Sequence, residues 1–378
     1  MAKEKKSQAA RSQRLMSLDV FRGMTVAFMI IVNNPGSWSH IYAPLEHSPW
    51  HGCTPTDLVF PSFLFIAGVA MFYSLKKFNF EFSPDALFRV LRRVVLIFAT
   101  GLFLTIFPYF IHRDYSALRI MGVLQRIALA YGLGAIIILL VRERFVWVAT
   151  SVILLAYWAL MYFFGGADPY SLKDNFALVV DKAVLGENHL YRGYGIPFDP
   201  EGLLSTLPAT GTVLLGFMTG ELINKNGKSW KTAILLVLAG AALIFAGYLW
   251  GKVFPINKPI WTSSYVLYAG GIAMVILSAM FIVVDIWEKR KWTGFFMVFG
   301  MNALFTFFLS GIVAKELGYN YIGTGDDKIS YGGWIYKNIC SNLLSDPKMA
   351  SLMFAIMMVL FIWLIGLILY RKKIFIKL

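Results

Sequence analysis

Charge is what this 378-residue chain has least of: Asp, Glu, Lys and Arg together make up 15% of it, and only 21 residues are acidic. A soluble fold of this length would need far more polar surface, so with 58% hydrophobic residues the composition excludes a water-exposed globule and points to lipid. Cysteine is nearly absent as well: Cys53 and Cys340 are the two, too few for a disulfide framework. Both fall in expected external loops, where a bridge is chemically permitted, but two lone cysteines at that separation are more often unpaired. No stretch alternates apolar and polar residues with the period of a membrane β-barrel. Internal repeats, low-complexity tracts and linkers long enough to separate domains are missing too.

What is present is a series of apolar runs about one bilayer thick. In hydrocarbon each backbone N–H and C=O must be satisfied within its own segment, so such runs are helices. Ten spans are expected, near 18–34, 58–75, 90–108, 118–141, 146–164, 203–223, 232–250, 260–285, 292–313 and 349–370. The fold class is therefore all-α, a polytopic bundle of about ten transmembrane helices. Residues 1–17 form a basic cytoplasmic segment ahead of a first span read as a retained anchor, and 18–378 form a single membrane domain.

The net charge of +14 could suggest a nucleic-acid partner, but Lys and Arg sit at the ends of the apolar runs. They favour one set of loops by roughly two to one, which by the positive-inside rule places both termini in the cytoplasm. Nucleic acid is not an expected partner. The bilayer is, a homodimer is compatible, and the expected address is a membrane.

All five histidines, His40, His47, His51, His112 and His189, fall on the other side. Histidine exchanges protons near neutrality, which suits a base or a nucleophile, although a loop histidine often simply faces water. Three of the five lie in 33–61, a stretch stiffened by Pro35, Pro44, Pro49 and Pro55 and so able to hold a side chain still. Asp57, at the mouth of the second span, can cap that helix or orient a histidine or a substrate amine. Arg126, inside the fourth span, needs a partner; Asp57, Asp199, Glu201 or an anionic ligand are the candidates. Arg22 can anchor at the cytoplasmic interface or touch a phosphate. Asn33, Asn34 and Asn302 can donate to an oxyanion or hold helices together, the latter being the better reading of Asn302. No metal site is expected.

Eight short stretches in order give the chain a resemblance to a known family: SLDVFRG (17–23), VNNPG (32–36), HSPWHGCTPTDLVFP (47–61), GVLQR (122–126), DPEG (199–202), NKPIWTSSYV (257–266), GMN (300–302) and YRKKIF (370–375). Together they resemble the heparan-α-glucosaminide N-acetyltransferase family of transmembrane acyltransferases, in a smaller, bacterial-type form. The resemblance implies transfer of acetyl from cytosolic acetyl-CoA to an amino sugar or related glycan across the membrane. It also implies an active histidine in a His-x-x-Trp-x-Gly motif, which here is His47, with Asn33 and Asp57 as companions. His51 stands where the lysosomal relative carries Asn and is not carried over. The donor would lie toward Arg22, Arg92, Arg93, Arg126 and Asn302, and the acceptor toward Trp50, Asp199, Glu201 and Trp261. An O-acetyltransferase of envelope glycans is the nearest alternative, and a membrane transporter the alternative from another class.

Overall fold

The computed structural model describes residues 15–107 and 115–376. His112, Arg113, Lys377 and nearly all of the basic segment 1–17 lie outside the described residues. Among the described residues twelve helices of eight or more residues follow one another: α1 (Met16–Asn33), α2 (Val59–Leu75), α3 (Pro84–Ile106), α4 (Val123–Leu140), α5 (Val146–Phe164), α6 (Phe176–Leu185), α7 (Thr206–Asn226), α8 (Trp230–Trp250), α9 (Ser263–Met280), α10 (Gly294–Met301), α11 (Ala303–Tyr319) and α12 (Pro347–Arg371). The only strands among the described residues are Tyr321–Ile322 and Ile329–Ser330, an antiparallel pair of two residues each.

Seven of these elements are long and apolar enough to cross a membrane, and an eighth span results if α10 and α11, which meet at an 85° bend, count as one. The all-α polytopic class stands, while the expected count of ten is met only if α3 and α7 cross as well. Both are long enough, at 23 and 21 residues. Their composition sets them apart: α3 begins Pro-Asp and carries Arg89, Arg92 and Arg93, and α7 is rich in Thr and Gly. The expected span 292–313 is broken at Asn302 rather than straight. The expected start of the fourth span at 118 moves to Val123, because Arg119 is drawn to carboxylates at the bundle's end, as described below.

The thrifty hydropathy of α7 has a packing reason. It lies in the middle of the bundle, where a Cβ on Gly68 would come within 1.9 Å of the Val213 carbonyl oxygen and one on Gly216 within 2.0 Å of that of Phe65. Glycine on both sides lets the α2 and α7 backbones touch, the usual way membrane helices gain dispersion contact. The hydroxyls of Thr210 and Thr219 are spent on carbonyls one turn back, at 3.0 and 2.8 Å, so these polar residues are buried without an unmet group. By contrast α5, α8 and α12 expose Trp147, Leu155, Phe245, Leu249, Phe361 and Leu364. That division makes α2, α4, α7 and α9 an inner set and puts an apolar perimeter where acyl chains belong. The protein is an integral membrane protein.

Candidate functional site

At the end of the bundle where α1 finishes and α2 begins, the chain between them folds into a fixed loop with Asp57 at its centre. Asp57 does not cap α2; its side chain turns back into the loop. One oxygen, Oδ2, accepts from the Ser48 N–H (3.0 Å), the Thr54 N–H (3.0 Å) and the Thr54 hydroxyl (3.1 Å). The other, Oδ1, lies 2.7 Å from His47 Nδ1. Its backbone carbonyl accepts from the Tyr265 hydroxyl at 2.5 Å, tying the loop to α9. Only 2% of the Asp57 side chain is exposed, against 45% of His47.

The chemistry follows from that contrast. A carboxylate with three donors on one oxygen is held in a single orientation, and its second oxygen takes the His47 Nδ1 proton. This leaves the Nε2 lone pair free on a half-exposed ring, the tautomer a base or a nucleophile needs. Lys258 adds a cation, with Nζ 3.1 Å from His47 Nδ1 and 3.6 Å from Asp57 Oδ1. An ammonium can only donate, so it cannot share the Nδ1–H and instead pairs with the carboxylate. Burial pushes the Lys258 pKa down while the Asp57 carboxylate opposes the shift. Beside them Cys53 is pushed up to about 12, first by burial, which makes it inert as a thiolate. Both cysteines are free.

Loop 251–262 completes the arrangement, since the Gly52 N–H donates to Ile256 O (2.7 Å) and the Asn257 amide to Trp50 O (2.9 Å). Trp50 is wedged between other elements: its indole donates to Tyr170 O (2.8 Å), and its ring meets Phe198 and Tyr194 edge-on at 5.4 and 6.0 Å. An aromatic wall of this kind suits the apolar faces of a sugar ring.

Behind the wall lies a buried ionic cluster. Arg119 forks onto Asp199 (2.8 and 2.6 Å) and reaches Glu201 at 2.5 Å, while its guanidinium covers the Tyr191 ring. Burial opposes its charge, but the two carboxylates outweigh burial and hold its pKa above the usual arginine range. Reciprocally, Arg119 and Arg126 keep Glu201 below the ordinary carboxylate range in spite of burial. Burial lifts Asp181 to about 6, although it accepts from the Leu203 and Leu204 N–H groups and feels the Arg126 charge.

Arg126 is wholly buried. It donates to Gly202 O (3.0 Å) and to the Ser205 hydroxyl, and stacks over Trp261 with 5.0 Å to the ring centre. The expected direct partners Asp199 and Glu201 are taken by Arg119 instead, and Asp57 by His47 and Lys258. Trp261 is itself fully buried between Phe60 and Tyr265 in a left-handed backbone conformation (φ 48°). It is a packing residue below the loop rather than part of an open acceptor surface.

Asn33, expected beside His47, is exposed at the end of α1 and has no hydrogen bond to the loop among the described residues; Asn34 is buried and donates to Ile30 O at 2.7 Å. The remaining described histidines have other tasks. His40 bonds Ser37 (3.2 Å), His51 meets the Asn257 amide (3.3 Å), and His189 donates to Leu118 O (2.7 Å).

The expected donor residues divide. Arg22 and Arg93 line one cavity of about 300 Å³ with Phe63, Ala67, Tyr131 and Met301. Arg93 covers the Tyr131 ring at 4.5 Å, and Arg22 reaches Asp19 and Gly300 O. Arg92 is exposed and does not line that cavity, Arg126 is on the loop side, and Asn302 is occupied by the chain's own C-terminal tail. Of the residues that line the cavity, Phe63 in the first turns of α2 is the nearest in sequence to Asp57 and the His47 loop.

Sequence reasoning passed over Lys258, Arg119, Asn257 and Asp181. Lys258 lies inside a stretch that carried the family resemblance, and a lone lysine among Pro, Ile and Trp was the available signal. Arg119 was counted as an ordinary loop charge.

A sequence model described as "Heparan-alpha-glucosaminide N-acetyltransferase, catalytic" matches residues 14–250. Heparan-alpha-glucosaminide N-acetyltransferase of Mus musculus is 26% identical over 270 residues, covering 57% of this chain and 40% of that protein. The Homo sapiens protein of the same name is 28% identical over 265 residues, covering 57% and 39%. The chain thus spans less than half the length of these relatives. Since the family match takes in most of the chain, including His47, Asp57, Arg22 and Arg93, this protein belongs to the heparan-alpha-glucosaminide N-acetyltransferase catalytic family.

Proposed function

We propose that the protein is a transmembrane acetyltransferase that moves acetyl from cytosolic acetyl-CoA to the amine of a glucosamine-type sugar on the far side of the membrane. The observation that carries this reading is the His47 ring, held by Asp57 so that Nε2 is free, in a bundle that also holds a cavity lined by Arg22, Arg93 and Phe63 of α2. The donor's anionic end would sit by those arginines and its thiol arm would run between α1, α2, α3 and α4 toward the loop.

The Nε2 lone pair can then serve in two ways. It can attack the thioester carbon, breaking the C–S bond and releasing the CoA thiolate, before the sugar amine takes the acetyl group from His47. Alternatively it can accept the amine's proton while the amine attacks the thioester directly. In both routes Asp57 stabilises the positive imidazole that forms, and the Trp50 and Tyr194 rings present the acceptor. The Lys258 ammonium, 3.6 Å from Asp57 Oδ1, helps keep that carboxylate ionised.

Purified protein in detergent, given labelled acetyl-CoA and glucosamine, is expected to release labelled N-acetyl product. Label captured on a histidine when acetyl-CoA is supplied alone identifies the two-step route. No product with any amino sugar, alongside intact binding of acetyl-CoA, would remove the proposal.

A further inference from the structure

One stretch of the family resemblance, YRKKIF at 370–375, has no part in the chemistry so far. α12 ends at Arg371, and the chain then reverses: the Lys372 N–H donates to Ile368 O (3.0 Å) and the Ile374 N–H to Leu369 O (2.9 Å). The reversal puts Lys373 in the left-handed region, at φ 55°. Glycine or asparagine would sit there at less cost, so a lysine is retained against backbone preference.

The returning strand is pinned at two points. Asn302 Nδ2 donates to Ile374 O (3.1 Å), and the Ile376 N–H donates to Asn302 Oδ1 (2.8 Å). Asn302 stands at the 85° break between α10 and α11, and Gly300, Met301 and Ala303 around it line the arginine cavity together with Ile376. The end of the strap 372–376 therefore forms part of the cavity wall, through Ile376. Lys372 and Lys373 of the strap, and Arg371 just before it, are exposed and lie within five residues of Ile376, which shares the cavity lining with Arg22 and Arg93. Arg93 Nε is buried with no hydrogen-bond partner among the described residues, a group suited to an anion's oxygen.

We propose that the C-terminal strap is part of the donor site, with Lys372 and Lys373 gripping the phosphates of a nucleotide whose thiol arm enters the cavity, and Asn302 fixing the strap in place. Asn302 is thus a positioning residue rather than a donor ligand. The inference rests on acetyl-CoA being the donor. Phosphate chemistry could also come from anionic lipid headgroups, which attract basic segments at a membrane surface.

The test is calorimetric titration of the full-length protein with CoA and with pantetheine, which lacks the nucleotide. Titrations are run in zwitterionic detergent with and without added anionic lipid. For Lys372→Gln/Lys373→Gln and, separately, for Asn302→Ala, CoA affinity is expected to fall at least about tenfold with pantetheine affinity unchanged, in both detergent conditions. The double variant changes only exposed side chains, so it keeps the test alive if Asn302→Ala does not fold. Unchanged CoA affinity, or equal losses for CoA and pantetheine, would overturn the strap's role. A difference seen only with anionic lipid would assign the cations to the membrane instead and overturn it too. Wild type that fails to bind CoA would overturn the donor reading itself, and the strap's role with it.

Discussion

Alanine in place of His47 is expected to slow acetyl transfer by at least about 100-fold, the usual loss when a base or nucleophile is removed. CoA affinity should stay within a few-fold, because His47 is held by Asp57 and Lys258 in the loop while the proposed anion site lies with Arg22 and Arg93. The comparison variants make the prediction specific. His40, His51 and His189 each have a hydrogen bond that explains their placement, and none contacts the Asp57 carboxylate. Their alanine variants should each keep at least about a tenth of the wild-type rate. A dead His51→Ala beside an active His47→Ala would move the reacting group to the neighbouring ring.

Arg119→Leu should be the most damaging single change to stability at this end of the molecule. It would leave Asp199, whose side chain is 0% exposed, and Glu201, at 11%, as buried anions without their forked partner. Breaking a buried pair from one side costs about 3–5 kcal/mol. The Arg119 side chain keeps 28% of its own exposure, which argues for the lower end of that range. The expected result is a clear drop in the temperature at which the detergent-purified protein loses its monodisperse size-exclusion peak. Glu201→Gln, which keeps the shape and leaves Arg119 on Asp199, should fall by much less. Equal profiles for the two variants would mean that water reaches Asp199 and replaces the guanidinium.

The membrane-embedded nature of the chain was legible because hydrocarbon imposes helices on any apolar run of sufficient length. The count was less so, since α3 carries Asp85, Arg89, Arg92 and Arg93, and α7 carries polar residues that only the bundle interior explains. Thr210 and Thr219 are satisfied by their own helix, and Gly68 and Gly216 by a backbone across the crossing. A sequence shows the glycine but not what it touches. The break at Asn302 was hidden for a similar reason, because its amide serves residues 72 and 74 positions further on.

At the site, the His47–Asp57 pair spans ten residues of one stiff loop, and local motif reading reached it. Lys258 comes from more than two hundred residues away, and Arg119 meets Asp199 across eighty. Charges that are paired over such separations read as ordinary loop cations until the fold joins them. The same blindness left Asp57, Asp199, Glu201 and an anionic ligand all open as partners of Arg126, when Arg119 holds two of those carboxylates.

The central claim is that one acetyl group passes from a donor at the Arg22 and Arg93 end to an acceptor at the His47 end, across the bilayer. Sealed vesicles containing the purified protein in a single orientation, with glucosamine confined inside and labelled acetyl-CoA supplied outside, test it most directly. With the Arg22 end facing out, the account predicts labelled N-acetylglucosamine in the lumen, free CoA outside and no acetyl-CoA inside. Product formed only when donor and acceptor share a compartment, or intact labelled acetyl-CoA accumulating in the lumen as a transporter would deliver it, would contradict the account.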